Sequence, residues 1–386
     1  MEFALSSEQL QVQATARRVA TEVVAPRAAA VDRDASYPHD YFEAFRDAGL
    51  LGVAIPPEYG GVGTGMTGLA LAMEEVAKYD STAGLILMLS VLSTQTLRMF
   101  GTDDQRQELI PPVARGETRG ALALTEPDAG SDVASMSTLA TQDGDHWVLN
   151  GQKQYVSGGP VADHITVFAK TVANDPRSLA VFVVDTTSAG LEVTRIEPLM
   201  GVRGMPTALM TFTNVRIPQE RMIGGAPLGM RAPLATLNAI RPVVGARGIG
   251  LAEGALTYAL RFAKERRAFG GALTDLQAIQ MKFADMAIEI EAARLLVHQA
   301  CWLVDNGRYG PAEAPLISAA KAFATEMANR VASEALQVLG GRGYSTDHPL
   351  ERHYRDARQL LIVEGTSEIQ RSIIARAVID GTLAYD

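Results

Sequence analysis

Hydrophobic positions in the first third of the chain recur at helical spacing. Ser7 is placed to cap a helix that begins at Glu8 and runs to about Val31. Further helices are predicted over residues 41–49, 69–78, 82–100 and 103–114, with breakers at 56–61, Gly101 and Pro111. The pattern predicts an N-terminal helical domain over residues 1–119.

The pattern changes near Gly120, where short β-branched or aromatic runs replace the helical ones. These runs cover residues 147–149, 165–169, 179–184 and 209–212, and turn-forming pairs such as Asp143-Gly144 divide them. Such spacing is typical of a small antiparallel sheet. We predict a middle β domain over residues 120–228, whose last strand ends near Pro218.

From Gly229 the helical pattern returns, over residues 234–263, 275–304, 314–339 and 368–380. Long helices joined by short connections favour a four-helix bundle, predicted over residues 229–386. The fold class is therefore α+β and mainly α, in the order helical domain, small β domain and helical bundle.

Composition narrows the class of protein. Of 386 residues, 47% are hydrophobic and 20% are charged, and the formal net charge is -9. This balance suits a soluble globular protein and disfavours nucleic acid or an anionic membrane as a partner. The most apolar run, residues 83–92, is too short to span a bilayer. Residues 1–5 lack a basic start and an apolar signal core, so we expect a cytoplasmic protein.

Several other features have structural interpretations. Cys301 is the only cysteine, which excludes an intrachain disulfide, and its apolar neighbours predict a helix core position. The glycines at 245, 248, 250 and 254 lie inside a helical pattern and predict close helix packing rather than a dinucleotide fingerprint. His348 and His353 flank Pro349 and are predicted at the surface or an interface. No histidine pair has metal-ligand spacing, so we predict no metal.

The segment 360–370 combines an apolar run with the start of a helix. Residues 360–363 are predicted to be a buried lead-in. Ser367 and Gln370 have the spacing of a capping box, and the helix they begin should end near Asp380, before Gly381.

Glu364 falls in the turn between that apolar run and that helix. Gly365 beside it permits a ligand to approach the backbone. If burial raises its pKa, such a carboxylate can take a proton from a carbon acid. Taken alone, the segment is better explained by a solvated glutamate in a surface turn.

Four further segments carry recognisable motifs: T-E-P-D-A-G-S-D at 125–132, G-Q-K-Q-Y-V-S-G at 151–158, K-E-R-R-A-F-G at 264–270 and Q-V-L-G-G-R-G-Y at 337–344. In this order they resemble motifs of the acyl-CoA dehydrogenases. Glu364 lies where that family often carries its catalytic glutamate. The resemblance runs essentially from end to end.

The resemblance implies bound FAD. In that family the backbone from Leu122 to Thr125 meets the isoalloxazine ring, an aromatic residue at the position of Tyr155 covers it, and the position of Arg266 serves the pyrophosphate. The cofactor-binding residues it implies are Leu122, Leu124, Thr125, Gly130, Ser131, Tyr155, Ser157, Arg266, Phe269, Gln277, Gln337, Gly340, Gly341, Thr366 and Glu368. Because alternate strand residues share a face, Tyr155 and Ser157 should act together.

The resemblance also implies an acyl-CoA site. Asn238 and Arg241 share a helix face that the family uses for the substrate. We favour Arg241 as a cation near Glu364, with a core-rim ion pair as the alternative. Some relatives place their glutamate on this helix, but that position is Ile240 here, which leaves Glu364 as the base. The implied substrate residues are Ser131, Asn238, Arg241, Gly365 and Arg376.

The implied function is FAD-dependent acyl-CoA dehydrogenation. Glu364 would take the α-proton while the β-hydrogen leaves as hydride to the flavin, which gives a 2,3-enoyl-CoA. Electrons would pass to an electron-transferring flavoprotein. A homotetramer is implied, with residues 276–277 and 337–341 reaching the FAD of a neighbouring subunit. The alternatives are a related flavin oxidase or monooxygenase, a nucleic-acid-associated member of the fold, and a non-catalytic subunit of a mixed oligomer.

Overall fold

The computed structural model describes residues 4–383. Residues 1–3 of the N-terminal segment lie outside the described residues, as do the predicted outer limits of the first and last domains, at residues 1 and 386. The N-terminal region and the C-terminal region are helical. The helices are α1 Ser7–Val19, α2 Ala25–Asp34, α3 His39–Asp47, α4 Gly65–Ala77, α5 Ser81–Phe100, α6 Asp103–Ala114, α7 Arg231–Glu265, α8 Gln277–Asp305, α9 Ala314–Val338, α10 Leu350–Leu360 and α11 Ser367–Ile379.

The first helix was predicted with the wrong N-cap residue and without the irregular turn that interrupts it. Ser6, not Ser7, is the N-cap: its Oγ accepts from the Gln9 N–H at 3.2 Å, and the Gln9 side chain accepts from the Ser6 N–H at 2.9 Å. After α1 the backbone forms one π-helical turn, Ala20–Val24, before α2 begins. Pro26 has no N–H to continue an α-helical ladder, which accounts for the irregular turn.

The prediction for α6 is confirmed over its whole length. Thr102 and Gln105 form a capping box, and the helix passes through Pro111 instead of stopping there. Helices α4 and α5 begin earlier than predicted; Asp80 caps α5 by accepting from the Thr82 N–H at 2.8 Å.

The middle region contains a seven-stranded sheet, with six strands along one path. Its strands are β1 Gly120–Ala123, β2 Leu139–Asp143, β3 His146–Ser157, β4 His164–Lys170, β5 Leu179–Asp185, β6 Leu191–Ile196 and β7 Thr207–Pro218. The spatial order is β1-β4-β2-β3-β7-β6, with β5 paired to the other side of β4. Most pairs are antiparallel as predicted, but β4 runs parallel to both β1 and β2.

Two strands were not predicted because their residues lack the expected pattern. β6 is largely exposed at the edge of the sheet, and β2 is exposed along its second half. Neither strand buries a whole face, so neither has the clear alternation that marks a half-buried strand.

The C-terminal bundle has one more helix than predicted, α10, and a short hairpin of β8 Arg267–Ala268 and β9 Gly271–Ala272 between α7 and α8. Only Leu360 of the predicted buried lead-in is buried, because it ends α10; Ile362 is 54% exposed. His353 was predicted at the surface but is buried, and its ring nitrogens contact the carbonyl oxygens of Pro349 and Lys78.

Close packing explains the glycines of α7, as predicted. A Cβ on Gly250 would lie 2.3 Å from a carbonyl oxygen of α4, and one on Gly254 would lie 2.0 Å from the Lys78 carbonyl oxygen. Cys301 is fully buried in α8, also as predicted. Within residues 4–383, α5 alone has the length and apolarity of a membrane span, and 83% of that stretch is buried, as in a core helix.

Candidate active site

The turn that carries Glu364 is capped differently from the prediction. Thr366, not Ser367, is the N-cap of α11, and its side chain accepts from the Ile369 N–H. The Gln370 side chain therefore takes no part in capping. Its amide donates to the carbonyl oxygens of Glu364 at 3.3 Å and of Gly365 at 2.9 Å, which ties the turn to the helix that follows.

The backbone of the turn is left-handed at two successive residues. Glu364 has φ of +55° and Gly365 has φ of +92°. Glycine accepts such a conformation without penalty, whereas an L side chain is strained there. Strained residues persist only where neighbouring groups fix them, and they concentrate at functional sites.

Two buried cations fix this turn. Nε of Arg241, on α7, lies 3.2 Å from the Glu364 carbonyl oxygen, and Nζ of Lys321, on α9, lies 2.9 Å from that of Gly365. Arg241 also donates to Oδ1 of Asn238 at 2.6 Å, one helical turn earlier. Both cations are at most 2% exposed. The prediction that Arg241 lies beside Glu364 is confirmed.

Sequence reasoning missed Lys321. It stands among small and apolar residues in the run S-A-A-K-A-F-A of α9. A lysine on the buried face of a helix needs a specific acceptor. That mismatch between charge and surroundings is the signal that could have identified it.

The Glu364 carboxylate is influenced by burial and by nearby charges but is not bonded to them. Burial raises its pKa, while the charges of Arg241, Lys321 and Arg247 oppose that rise. Burial also lowers the pKa of Lys321 to about 8. Across residues 4–383, the carboxylate forms no hydrogen bond or ion pair, and the Glu364 N–H donates to no protein acceptor. One residue thus presents an unengaged base and an unengaged donor.

A second group lies in the β domain, around a fully buried ion pair. Nζ of Lys153, on β3, is 2.8 Å from Oε1 of Glu126 and 3.0 Å from the Leu124 carbonyl oxygen. The other carboxylate oxygen accepts from the N–H and Oγ of Ser137, and Oε1 also accepts from the Thr138 N–H. The pair fastens the loop after β1 to the sheet. The motif match did not single out either member.

A bulge interrupts the simple alternation predicted for Tyr155 and Ser157. The pairing of β3 with β7 slips between Lys153 and Val156, and Tyr155 has φ of +57° at that bulge. A bulge re-aims the side chain it carries. Tyr155 is 57% exposed, and the Ser157 hydroxyl lies 3.2 Å from that of Thr207.

A third group is exposed at one end of the helical bundle. Arg266 and Phe269 follow α7, and Gln337, Gly340 and Gly341 follow or end α9. The two segments adjoin, since the Arg342 guanidinium lies 5.9 Å from the Phe262 ring centre. Exposed residues at the adjacent start of α8 include Gln277.

The remaining predicted residues lie apart from the Glu364 turn or at its edge. Ser131 and Gly130 are exposed in the loop after β1, and Glu368 is exposed in the first turn of α11. Arg376 is exposed in the last turn of α11, roughly 14 Å along the axis from its start. The described contacts do not bring Arg376 to Glu364.

Several of the predicted cofactor residues leave their surface open to a ligand. A Cβ at Gly130, Gly340 or Gly341 would meet no atom within 4 Å, so the backbone is open to a ligand at all three positions. Tyr155 and Phe269, the latter 93% exposed, present aromatic faces without a protein covering. Large exposed aromatic side chains are typical of binding surfaces.

Family comparisons agree with this arrangement along the whole chain. Models of the acyl-CoA dehydrogenase N-terminal, middle and C-terminal domains match residues 6–117, 121–215 and 228–379. The chain belongs to the acyl-CoA dehydrogenase family. It is an oxidoreductase of that family, and the predicted order of helical, β and helical domains is confirmed as the family architecture.

Individual relatives cover nearly all of this acyl-CoA dehydrogenase family member. A probable acyl-CoA dehydrogenase, FadE25, of Mycobacterium tuberculosis is 38% identical over 98% of this chain and 97% of its own. Butyryl-CoA dehydrogenase from Megasphaera elsdenii has a TM-score of 0.94 at 33% identity, covering 98% and 100% of the two chains. A glutaryl-CoA dehydrogenase from Mycobacterium smegmatis, in complex with FADH2, has a TM-score of 0.91 at 29% identity, covering 99% and 97%.

Proposed function

We propose that this protein oxidises an acyl-CoA to the 2,3-enoyl-CoA, with Glu364 as the base that removes the α-proton. The observation that carries the proposal is the Glu364 turn, where an unengaged carboxylate and an unengaged N–H belong to one residue. The relatives named above act on different acyl groups, so family membership leaves the substrate open.

Glu364 suits the base by its surroundings. Burial raises its pKa, which strengthens it as a base, while the charges of three nearby cations oppose that rise. The Glu364 N–H would donate to the thioester carbonyl. One such donor to a developing enolate is worth roughly 3 kcal/mol. Arg241, Lys321 and Gln370 hold both groups in place through the carbonyl oxygens of the turn.

FAD is the proposed cofactor. Bound FAD would supply the hydride acceptor for the β-hydrogen. The backbone from Leu122 to Thr125, with Tyr155 and Ser157, would hold the flavin ring. Arg266 is exposed beside the α9 terminus and would hold the pyrophosphate, since a guanidinium matches phosphate oxygens.

We propose further that the protein is a homotetramer in the cytoplasm that passes electrons to an electron-transferring flavoprotein. The residues for the adenine end of FAD are exposed at one end of the bundle, which supports their use by a neighbouring subunit. An apolar stripe on α8 supports association. Its exposed members recur every seven residues: Met281, Ile288, Leu295 and Trp302.

The test of the base is Glu364→Gln, which keeps the size of the side chain and removes its basic oxygen. Anaerobic bleaching of the flavin on mixing with acyl-CoA should slow by about 100- to 10,000-fold, because general-base removal typically costs that much. Glu364→Asp should keep part of the rate, and Glu192→Gln, at an exposed position of β6, should keep all of it. Bleaching of the Gln variant at the wild-type rate would remove Glu364 from this role.

A further inference from the structure

Arg247 is a fully buried arginine whose guanidinium is only partly bonded. It lies on α7 and has no exposed surface. Its Nη2 donates to Oε1 of Gln359 at 2.7 Å, but Nε and Nη1 have no partner in the part of the chain that the structure describes. Buried guanidinium groups are normally paired, because an unpaired charge in the interior is costly.

The position of Arg247 relates it to the Glu364 turn. It follows Arg241 by six residues, which places its Cα roughly 9 Å farther along the helix axis. Its partner Gln359 accepts, through the main-chain oxygen, from the N–H groups of Ile362 and Val363, the residues that lead into Glu364. The charge of Arg247 also lowers the pKa of Glu364.

The face of α7 between these points is apolar and turned toward α5. The Thr236 hydroxyl bonds that of Thr96 on α5, and Arg247 packs against Gly84 at the other end of α5. Ile240 and Val243 lie between them at helical spacing, and both are buried. The face therefore offers an apolar stretch that ends in a cation.

No protein carboxylate neutralises this cation by direct contact. The nearest candidates by charge are Asp356 and Glu364, and neither forms an ion pair with Arg247 within residues 4–383. Asp356 accepts instead from the Val202 N–H at 2.6 Å, and burial raises its pKa to about 7. Arg241 and Lys321 add further positive charge around the single Glu364 carboxylate.

We infer that Arg247 binds a carboxylate at the distal end of the substrate's acyl group, so that the substrate class is the CoA monothioester of a dicarboxylic acid. The inference rests on the proposed function and specifies its substrate. The methylene groups would contact the apolar face of α7, and the carboxylate would accept from Nη1, the terminal nitrogen that has no partner within residues 4–383. Charge-assisted N–H donors of this kind bind carboxylates strongly.

The test compares acyl-CoA pairs of equal chain length, with and without the terminal carboxylate. Glutaryl- and adipyl-CoA are set against pentanoyl- and hexanoyl-CoA, and kcat/KM is measured with an artificial electron acceptor on the FAD-loaded protein. Wild type should favour the better dicarboxylic substrate by about 100-fold or more, since a site built for a polar group rejects analogues that lack it. That substrate should also raise the melting temperature more than its alkyl counterpart.

Arg247→Met keeps the apolar length of the side chain and removes the guanidinium. It should lose the preference for the dicarboxylic substrate while retaining use of the alkyl one. If the variant does not fold, the wild-type panel alone still decides. Equal or better use of alkyl acyl-CoAs by wild type overturns the inference and leaves the proposed function intact. If no acyl-CoA of either kind reduces the flavin, the proposed function fails and the inference with it.

Discussion

Replacing Glu126 by glutamine should unfold the β domain at far lower denaturant concentration than wild type requires. The substitution leaves the Lys153 ammonium buried without its counter-charge. Removing one partner of a buried ion pair typically costs about 3–5 kcal/mol. The magnitude agrees with the electrostatics: burial raises the pKa of Glu126, but Lys153 and the hydrogen bonds from residues 137 and 138 more than offset it and lower the pKa to about 2. Against the ordinary value of 4.5, that corresponds to roughly 3 kcal/mol.

The size of the loss also has an upper limit. Burial lowers the pKa of Lys153 to about 8 even beside Glu126, and without Glu126 the lysine can release its proton. Deprotonation of an ordinary lysine at pH 7 costs roughly 5 kcal/mol, so the penalty for the unpaired ammonium should not exceed that amount. Because the pKa of Glu126 is lowered, its contribution is complete above pH 4.5 and disappears as the pH falls toward 2. The difference between variant and wild type should shrink over that range.

Urea unfolding followed by tryptophan emission would measure this loss. Trp147 lies on β3, with its ring 5.7 Å from that of Phe182, so it reports on the β domain; a Trp302→Phe background removes the other signal. The matched control is Glu117→Gln, at an ion pair with Arg115 whose side chains are both about half exposed, where less than about 1 kcal/mol should be lost. Equal losses at the two sites would refute the reasoning.

Three further outcomes are expected. Lys321→Met removes a charge that lowers the pKa of Glu364, so the acid limb of the pH profile of kcat/KM should move to higher pH. An unchanged limb would show that the charge of Lys321 does not influence the pKa of Glu364. Gly250→Ala places a methyl group 2.3 Å from a backbone oxygen of α4 and should cost about 1–3 kcal/mol or more in unfolding free energy, whereas Gly310→Ala, in an open turn, should cost little. Ile288→Lys should shift light scattering toward smaller species, and an unchanged mass would exclude the α8 stripe from the interface.

The elements that the sequence predicts well are those with strong local signals. The capping residues Thr102 and Gln105 are adjacent in sequence to the helix they begin, so α6 could be predicted to its limits. Helix α10 was missed because only three apolar residues in its length, Leu350, Ala357 and Leu360, are buried, amid a highly charged sequence. The buried face of α10 is defined by contacts with residues that are distant in sequence.

The residues of the candidate site also differ in how well the sequence predicts them. The family resemblance pointed to Glu364 and to Arg241 beside it, while helical spacing predicted only that Asn238 and Arg241 share a face. Lys321 reaches the turn from α9, and Arg247 contacts Gln359 of α10, so the role of each depends on a helix that is distant in sequence. The cap of α11 moved by one residue because Gln370 is engaged by the carbonyl oxygens of the turn rather than by a capping box. Tertiary contacts, which local spacing does not encode, decided each of these.

The left-handed backbone at Glu364 has a consequence for how this position evolves. A non-glycine residue in that conformation costs roughly 1 kcal/mol, and the raised pKa shows that the buried carboxylate costs stability as the pH rises through it. Glycine at 364 would relieve both penalties. If Glu364 is the base, as proposed, selection for turnover would retain the glutamate although glycine there would make the fold more stable. In a lineage that no longer needed the reaction, this would be among the first positions to change. The inactive descendant would then have a higher melting temperature than its active ancestor.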